Sequence, residues 1–150
     1  MKISIGSDHG AVDLKNQIVK YLKDNGHEVL DFGTNSKESC DYPDFAYPAA
    51  LALSKHEVDR AIVLCTTGIG VSIVANKVKG VRCSLVHNKE FAILTREHND
   101  SNCLALGSLT VDFDLAKEII NAWLETKFSN GKRHLNRLEK IRKIEVSENE

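Results

Sequence analysis

No apolar run in this sequence is longer than about five residues, Ala61 to Cys65 being typical, against the ~20 that a membrane span needs. A membrane segment is excluded on that ground. The chain reaches Asp8 and His9 after one lysine and a short β-like stretch. No apolar leader or small-residue cleavage site precedes them, so nothing marks the protein for export and a cytoplasmic location is expected. The four cysteines, at 40, 65, 83 and 103, contain no C-x-x-C pair, which argues against a zinc site and against a stapled extracellular fold. An excess of one charge is missing too. The 20 Lys+Arg face 21 Asp+Glu, a formal net charge of -1, so no nucleic-acid partner is expected.

What is present is enough apolar material for one core. With 42% hydrophobic and 27% charged residues, the 150 residues read as a single globular domain, 1–150. The balanced charge hides an asymmetry: between Lys127 and Lys143 stand seven Lys/Arg and one acid, Glu139. An acidic body with one short basic segment suits a local anion contact.

Apolar periodicity alternates between strand and helix along the chain. Lys2–Gly6, Glu28–Phe32, Arg60–Cys65, Val81–His87 and Asn102–Leu106 read as strands. Between them lie helical patterns: Ala11 to Leu22, about Asp44 to Lys55, a short run ending near Lys77, and about Lys89 to Glu97. A further helix starts at an Asp112 N-cap, and a basic C-terminal helix at about 133–145 follows Ser129-Asn130-Gly131. The pattern predicts an α/β fold: a doubly wound, Rossmann-like, five-stranded parallel sheet with helices on both faces and a C-terminal helix. Ligands of such sheets bind beyond the carboxyl ends of the strands. Three ends stand out: Ser7-Asp8-His9, Cys65 to Gly70, and His87-Asn88.

In Cys65-Thr66-Thr67-Gly68-Ile69-Gly70, two threonines and two glycines open onto a helix, so successive amides can converge on an oxyanion. The segment also reads as an ordinary tight turn. It is neither a dinucleotide fingerprint, whose third glycine would fall at Ile73, nor a P-loop, nor a Cys-x5-Arg phosphatase loop, since position 71 is Val71. Cys65 ends a strand ahead of a helix, where a thiolate base is favoured; a small buried hydrophobe is the other reading. Asp8-His9 suits sugar hydroxyls or a phosphate, or serves as a helix cap beside a surface histidine. His98-Asn99-Asp100 reads as a polar loop between a helix and the last strand. Arg133 and Arg137, at i and i+4 beside Lys132 and His134, can clamp a phosphate or end a solvated helix. The other three cysteines read as structural.

Seven short motifs occur together in order: Gly6-Ser7-Asp8-His9-Gly10, Asp31-Phe32-Gly33-Thr34, Asp41-Tyr42-Pro43-Asp44-Phe45-Ala46, Cys65 to Gly70, Ala75-Asn76-Lys77, Arg96-Glu97-His98-Asn99-Asp100, and Arg133-His134 with Arg137. From Lys2 to about Ile144 the chain resembles ribose-5-phosphate isomerase type B, of the ribose/galactose isomerase family. The resemblance implies aldose-ketose isomerisation of ribose 5-phosphate to ribulose 5-phosphate, a pentose phosphate pathway reaction, through a cis-enediolate without metal or organic cofactor. It implies Cys65 as the base between C2 and C1, His98 as the ring-opening acid, and Asn99 near the reacting oxygens. Catalytic Thr67, with Thr66, Gly68, Ile69 and Gly70, belongs to the loop that holds the enediolate. Asp8, His9 and Tyr42 fall in the substrate site, and Arg133, His134 and Arg137 at the phosphate.

The sequence departs from that family at Thr66, usually glycine, and at Leu109, usually a phosphate-binding arginine. It departs again at Asn130-Gly131-Lys132, one residue longer than the usual Gly-Gly, so that Lys132 would compensate for Leu109. A glutamate base used in one branch is replaced by Val71. Two other readings are a hexose 6-phosphate (allose or galactose 6-phosphate) isomerase and a non-catalytic sugar-phosphate-binding module. The strand order implies that Cys65 and His98 lie at opposite sheet edges. A homodimer with shared active sites is therefore expected, as a dimer or a tetramer.

Overall fold

The computed structural model describes residues 1–148; the last two of the expected 1–150 domain lie outside it. Five strands, β1 (Lys2–Ser7), β2 (Glu28–Asp31), β3 (Arg60–Cys65), β4 (Cys83–Leu85) and β5 (Cys103–Gly107), form one sheet in the order β2-β1-β3-β5-β4. Every pairing is parallel. Helices α1 (Val12–Asp24), α2 (Pro43–Ser54), α3 (Ile69–Ala75), α4 (Lys89–Asn99) and α5 (Phe113–Glu125) connect and cover the strands, and α6 (Lys132–Glu148) follows. A single 3-10 turn, His9–Ala11, joins β1 to α1. Among the described residues no helix is long and apolar enough to cross a membrane.

Because strand side chains alternate between faces, the central strands divide their residues between two cores. Ile3, Ile5, Ile62, Leu64, Leu104 and Leu106 pack against α1, α4 and α5, with Ile18, Leu22, Ile119, Ile120 and Trp123 fully enclosed. Ala61, Val63, Cys65, Cys103 and Ala105 face α2 and α3, which answer with Ala46, Ala49, Ala50, Val71 and Ala75. Small side chains on that second face let α2 come very close. A Cβ at Gly6 would collide with the Phe45 carbonyl, and buried Ser4 donates to the Ala49 carbonyl at 2.8 Å.

The structure differs from the sequence reading in the extent of some elements and in strand order. The expected strand Val81–His87 shrinks to Cys83–Leu85, because it is an edge strand that pairs only with β5. The last strand in sequence, β5, is interior, inserted between β3 and β4. Helix α4 continues through Asn99 and is closed by Asp100 in the left-handed region (φ 46°), its amide bonded to the Arg96 carbonyl. His98 and Asn99 therefore belong to the last helical turn and not to a loop.

Gly6→Ala should cost about 1–3 kcal/mol by forcing α2 off the sheet, and Leu104→Ala about 2–5 kcal/mol through an unfilled cavity. Urea titration reads both as a lowered midpoint. An unchanged midpoint for Gly6→Ala would mean that α2 lifts freely.

Candidate functional site

The carboxyl ends of β1, β3 and β5 are stitched into one surface. The Asp8 amide donates to the Leu64 carbonyl (3.3 Å), the Ser108 amide to Cys65 (3.0 Å) and the Leu109 amide to Thr66 (2.9 Å). Ser108 Oγ donates to the Gly10 carbonyl at 2.6 Å, joining the first and last of these ends. Cys65, Thr66, Thr67, Gly68, Ile69, Gly70, Asp8, His9 and Tyr42 gather here. The chain turns sharply at Gly68 (φ 77°), which packs against the Leu106–Gly107 backbone. Tyr42 closes over Gly70 so tightly that a Cβ there would enter its ring.

Cys65 is buried, 6% exposed, and its Sγ accepts the Gly68 amide at 3.2 Å. Thr67 Oγ1 takes the Ile69 amide at 3.2 Å. Gly70 and Val71 are in the first turn of α3, whose amides have no intrahelical acceptors. The aspartate of Asp8 is also buried and accepts the Gly10 amide at 2.9 Å, its second oxygen lying 4.0 Å from His9 Nδ1.

The third strand end singled out in the sequence, His87-Asn88, does not join this surface as a ligand loop. Asn88 caps α4 by accepting the Phe91 amide at 2.8 Å, and His87 meets Thr110 at 3.4 Å. In its place stands Ser108, after β5; only the spatial strand order puts that end beside Cys65. Cys40, read as structural, contacts the site instead: its amide donates to His9 Nδ1 at 3.2 Å and its Sγ lies 3.6 Å from the same nitrogen.

A second constellation forms at the opposite sheet edge. The end of α4 is clamped by two arginines. Buried Arg96 reaches Asp100 Oδ1 (2.9 Å) and the carbonyls of Ser101 (2.6 Å) and Thr126 (3.0 Å), while Arg82 holds the carbonyls of Asn99 and Asp100 at 3.3 and 3.1 Å. Ser129 donates to the Glu97 carbonyl at 2.7 Å, which brings the start of α6 alongside. The His98 and His134 rings then stack at 4.4 Å and 15°. Arg133 and Arg137 are exposed on α6 and form no ion pair among the described residues. Arg82 carries no sequence signal of its own and meets Asp100 only through the fold, whereas Arg96 stands at i, i+4 to Asp100 on one helical face.

The two constellations stay apart. The Ala61 amide bonds to the Asn102 carbonyl just after α4, whereas Cys65 is level with Gly107. About 13 Å of strand lies between those levels. Residues expected to hold one substrate therefore fall into two groups, Cys65 with the loops around it and His98, Asn99, Arg133, His134 and Arg137. Among the described residues no group of three or more His, Cys, Asp or Glu is placed to hold a metal.

Burial, then the neighbouring His98, Arg133 and Arg137, hold the His134 imidazole below its ordinary value of 6.5. The unfolded chain then binds more protons than the folded one below that value. Stability is full above about pH 6.5 and falls as the pH drops through the lowered folded value. His134→Asn should flatten this part of the stability curve, measured by denaturant titration from about pH 8 to about pH 5. Parallel curves for the two proteins would contradict it.

The profile of the Ribose/Galactose Isomerase family matches residues 3–141. The chain is 46% identical over 148 residues to ribose-5-phosphate isomerase B of Escherichia coli, covering 99% of each. It is 40% identical over 132 residues to the galactose-6-phosphate isomerase subunit LacB of Clostridium acetobutylicum, covering 88% of this chain and 76% of that one. The solved structure of Clostridium thermocellum ribose-5-phosphate isomerase B superposes with a TM-score of 0.95 at 51% identity, over 98% of this chain and 99% of the other. With its parallel sheet, its cysteine at the end of β3 and its basic α6, this chain belongs to the ribose/galactose isomerase family.

Proposed function

We propose that this sugar-phosphate isomerase interconverts ribose 5-phosphate and ribulose 5-phosphate through a cis-enediolate. The observation that carries the reading is the Gly68 amide on Cys65 Sγ, 3.2 Å, at the mouth of a loop that presents further amides. The thiolate takes the C2 proton of the open-chain aldose and the electron pair moves toward O1. Amides of the Thr66 to Gly70 loop other than those held by Cys65 and Thr67 stabilise that oxygen. The thiol then returns the proton to C1 while a hydroxyl proton passes between O2 and O1, leaving the ketone at C2. His98 opens the sugar ring, and Asn99 contacts the reacting oxygens.

A five-carbon sugar phosphate is too short to span both sheet edges of one subunit. In this reading the protein works as a homodimer with shared sites: His98 and Asn99, with the phosphate clamp Arg133, His134 and Arg137, serve the Cys65 of the neighbouring subunit. Lys132 adds a cation to that clamp. One observation favours a second substrate reading. Leu109, 73% exposed beside Thr66, sets an apolar side chain after β5 where the resembled family usually has an arginine, and a hexose 6-phosphate would carry its phosphate farther out.

Iodoacetamide should inactivate the enzyme with label on Cys65, and ribose 5-phosphate should protect; inactivation with label confined to Cys40, Cys83 or Cys103 contradicts the assignment of the base. Cys65→Ala should lower kcat by a factor of at least about 100, the worth of a positioned base. Wild type that binds the sugar phosphate, with only a residual isomerisation rate that Cys65→Ala leaves unchanged, would favour the non-catalytic binding module. Mixing inactive Cys65→Ala and His98→Ala proteins should restore part of the activity in exchanged dimers, and complete inactivity after proven exchange would count against shared sites. Comparing kcat/KM across ribose, allose and galactose phosphates decides the substrate, and a higher value for a hexose 6-phosphate would overturn the ribose reading.

A further inference from the structure

Lys15 is fully buried on α1, on the same helix as core residues Leu14, Ile18 and Leu22. An enclosed ammonium is costly unless paired, and this one is paired to the end of β2 and to the loop that follows it. Its Nζ donates to Asp31 Oδ2 at 2.8 Å and to Asn35 Oδ1 at 2.9 Å. These partners open the segment Phe32 to Tyr42, which has no helix or strand of its own. Gly33 packs against Lys15 Cε, and its amide is taken by Asp31 Oδ1 at 2.8 Å.

From there the loop is propped one step at a time. The Thr34 amide bonds the Ser7 carbonyl (3.0 Å), the Ser36 amide Thr34 Oγ1 (3.1 Å) and the Glu38 amide Ser36 Oγ (3.1 Å), while Lys37 pairs with Asp13 at 3.1 Å. The last prop is the Cys40 amide on His9 Nδ1 at 3.2 Å. An amide can only donate, so Nδ1 must present its lone pair and the neutral ring carries its proton on Nε2. Asp8 would favour the other tautomer, but its Oδ2 is 4.0 Å from Nδ1, beyond hydrogen-bond range, and its Oδ1 is taken by the Gly10 amide. His9 lines a cavity of about 590 Å³ with Gly10, Lys37 and Ser108.

We propose that Lys15 is a positioning residue: through Asp31 and Asn35 it hangs the Phe32–Tyr42 loop so that the Cys40 amide fixes His9 as the Nε2–H tautomer, a hydrogen-bond donor at the substrate surface. That this donor meets an oxygen of the sugar phosphate rests on the isomerase reading above; the tautomer itself does not.

The test uses the ¹⁵N-labelled full chain without substrate, reading the ring nitrogens by long-range ¹H–¹⁵N correlation, with His9 assigned by its loss in His9→Gln. Wild-type His9 is expected to show a bare Nδ1 and a protonated Nε2. Lys15→Met and the milder, exposed-site Asn35→Ala should move it toward a mixture of tautomers. KM for ribose 5-phosphate should then rise about three- to tenfold, the worth of one hydrogen bond, with kcat changing less. Asn35→Asp, which keeps an acceptor oxygen on Lys15, should restore both readouts. If Lys15→Met does not fold, Asn35→Ala decides alone. A wild-type His9 protonated on Nδ1, or a tautomer unchanged in every folded variant, overturns the proposal. Failure of wild type to turn over ribose 5-phosphate overturns only the substrate reading, since the ring signals are recorded without it.

Discussion

Everything about the candidate site depends on the common direction of the five strands. In a parallel sheet the loops that follow strands collect at one edge and the loops that precede them at the other. Cys65 ends β3, so it meets the ends of β1 and β5, and three backbone bonds with one serine hydroxyl hold those ends together. His98 precedes β5 and is carried to the far edge with α6. No side-chain rearrangement within one subunit undoes that separation, because it is built into the ladder. The division of labour between subunits proposed above is argued from this geometry.

The two faces of the sheet are packed for different purposes. On the α1, α4 and α5 side, branched and aromatic residues fill volume and supply most of the apolar burial that offsets chain entropy. On the α2 and α3 side, alanines bring the helices close, which sets the start of α3 under the cysteine and Tyr42 against Gly70. Buried polar groups hold the loops: Lys15 beneath the Phe32–Tyr42 segment, and Arg96 with Asp100 at the end of α4. Each has partners within hydrogen-bond distance, and among the described residues no buried side-chain nitrogen or oxygen is without one. That is the condition under which buried charge specifies a conformation without destabilising it.

Much of this was legible in the sequence. The strand–helix alternation marked all five strands, and Asp112 announced α5, where its carboxylate takes the Leu115 amide at 2.8 Å. The extent of β4 was not legible, because an edge strand is as long as its neighbour allows and the neighbour, β5, is remote in sequence. The end of α4 was missed for a related reason. Polar residues such as His98 and Asn99 look like a loop until Arg82 and Arg96 close the helix around Asp100. Around the site, the glycine-bearing turn after Cys65 could be seen as an amide cradle. Cys40 and Ser108 could not, since a thiol in a polar stretch and a serine after a strand are ordinary until the fold sets them on His9 and Gly10.

The sequence by itself determined the fold class, the chemistry on offer and the motifs of the family, because periodicity, residue type and short spacings are local properties of the chain. That thiol and histidine stand on opposite edges already followed from the pattern of parallel strands, whereas tertiary structure alone decided which strand ends touch. It alone decided that a buried lysine props the loop on which the His9 tautomer depends. Those facts are set by strand order and by contacts between residues far apart in sequence, such as Ser108 with Gly10 and Cys40 with His9, and no local pattern encodes them.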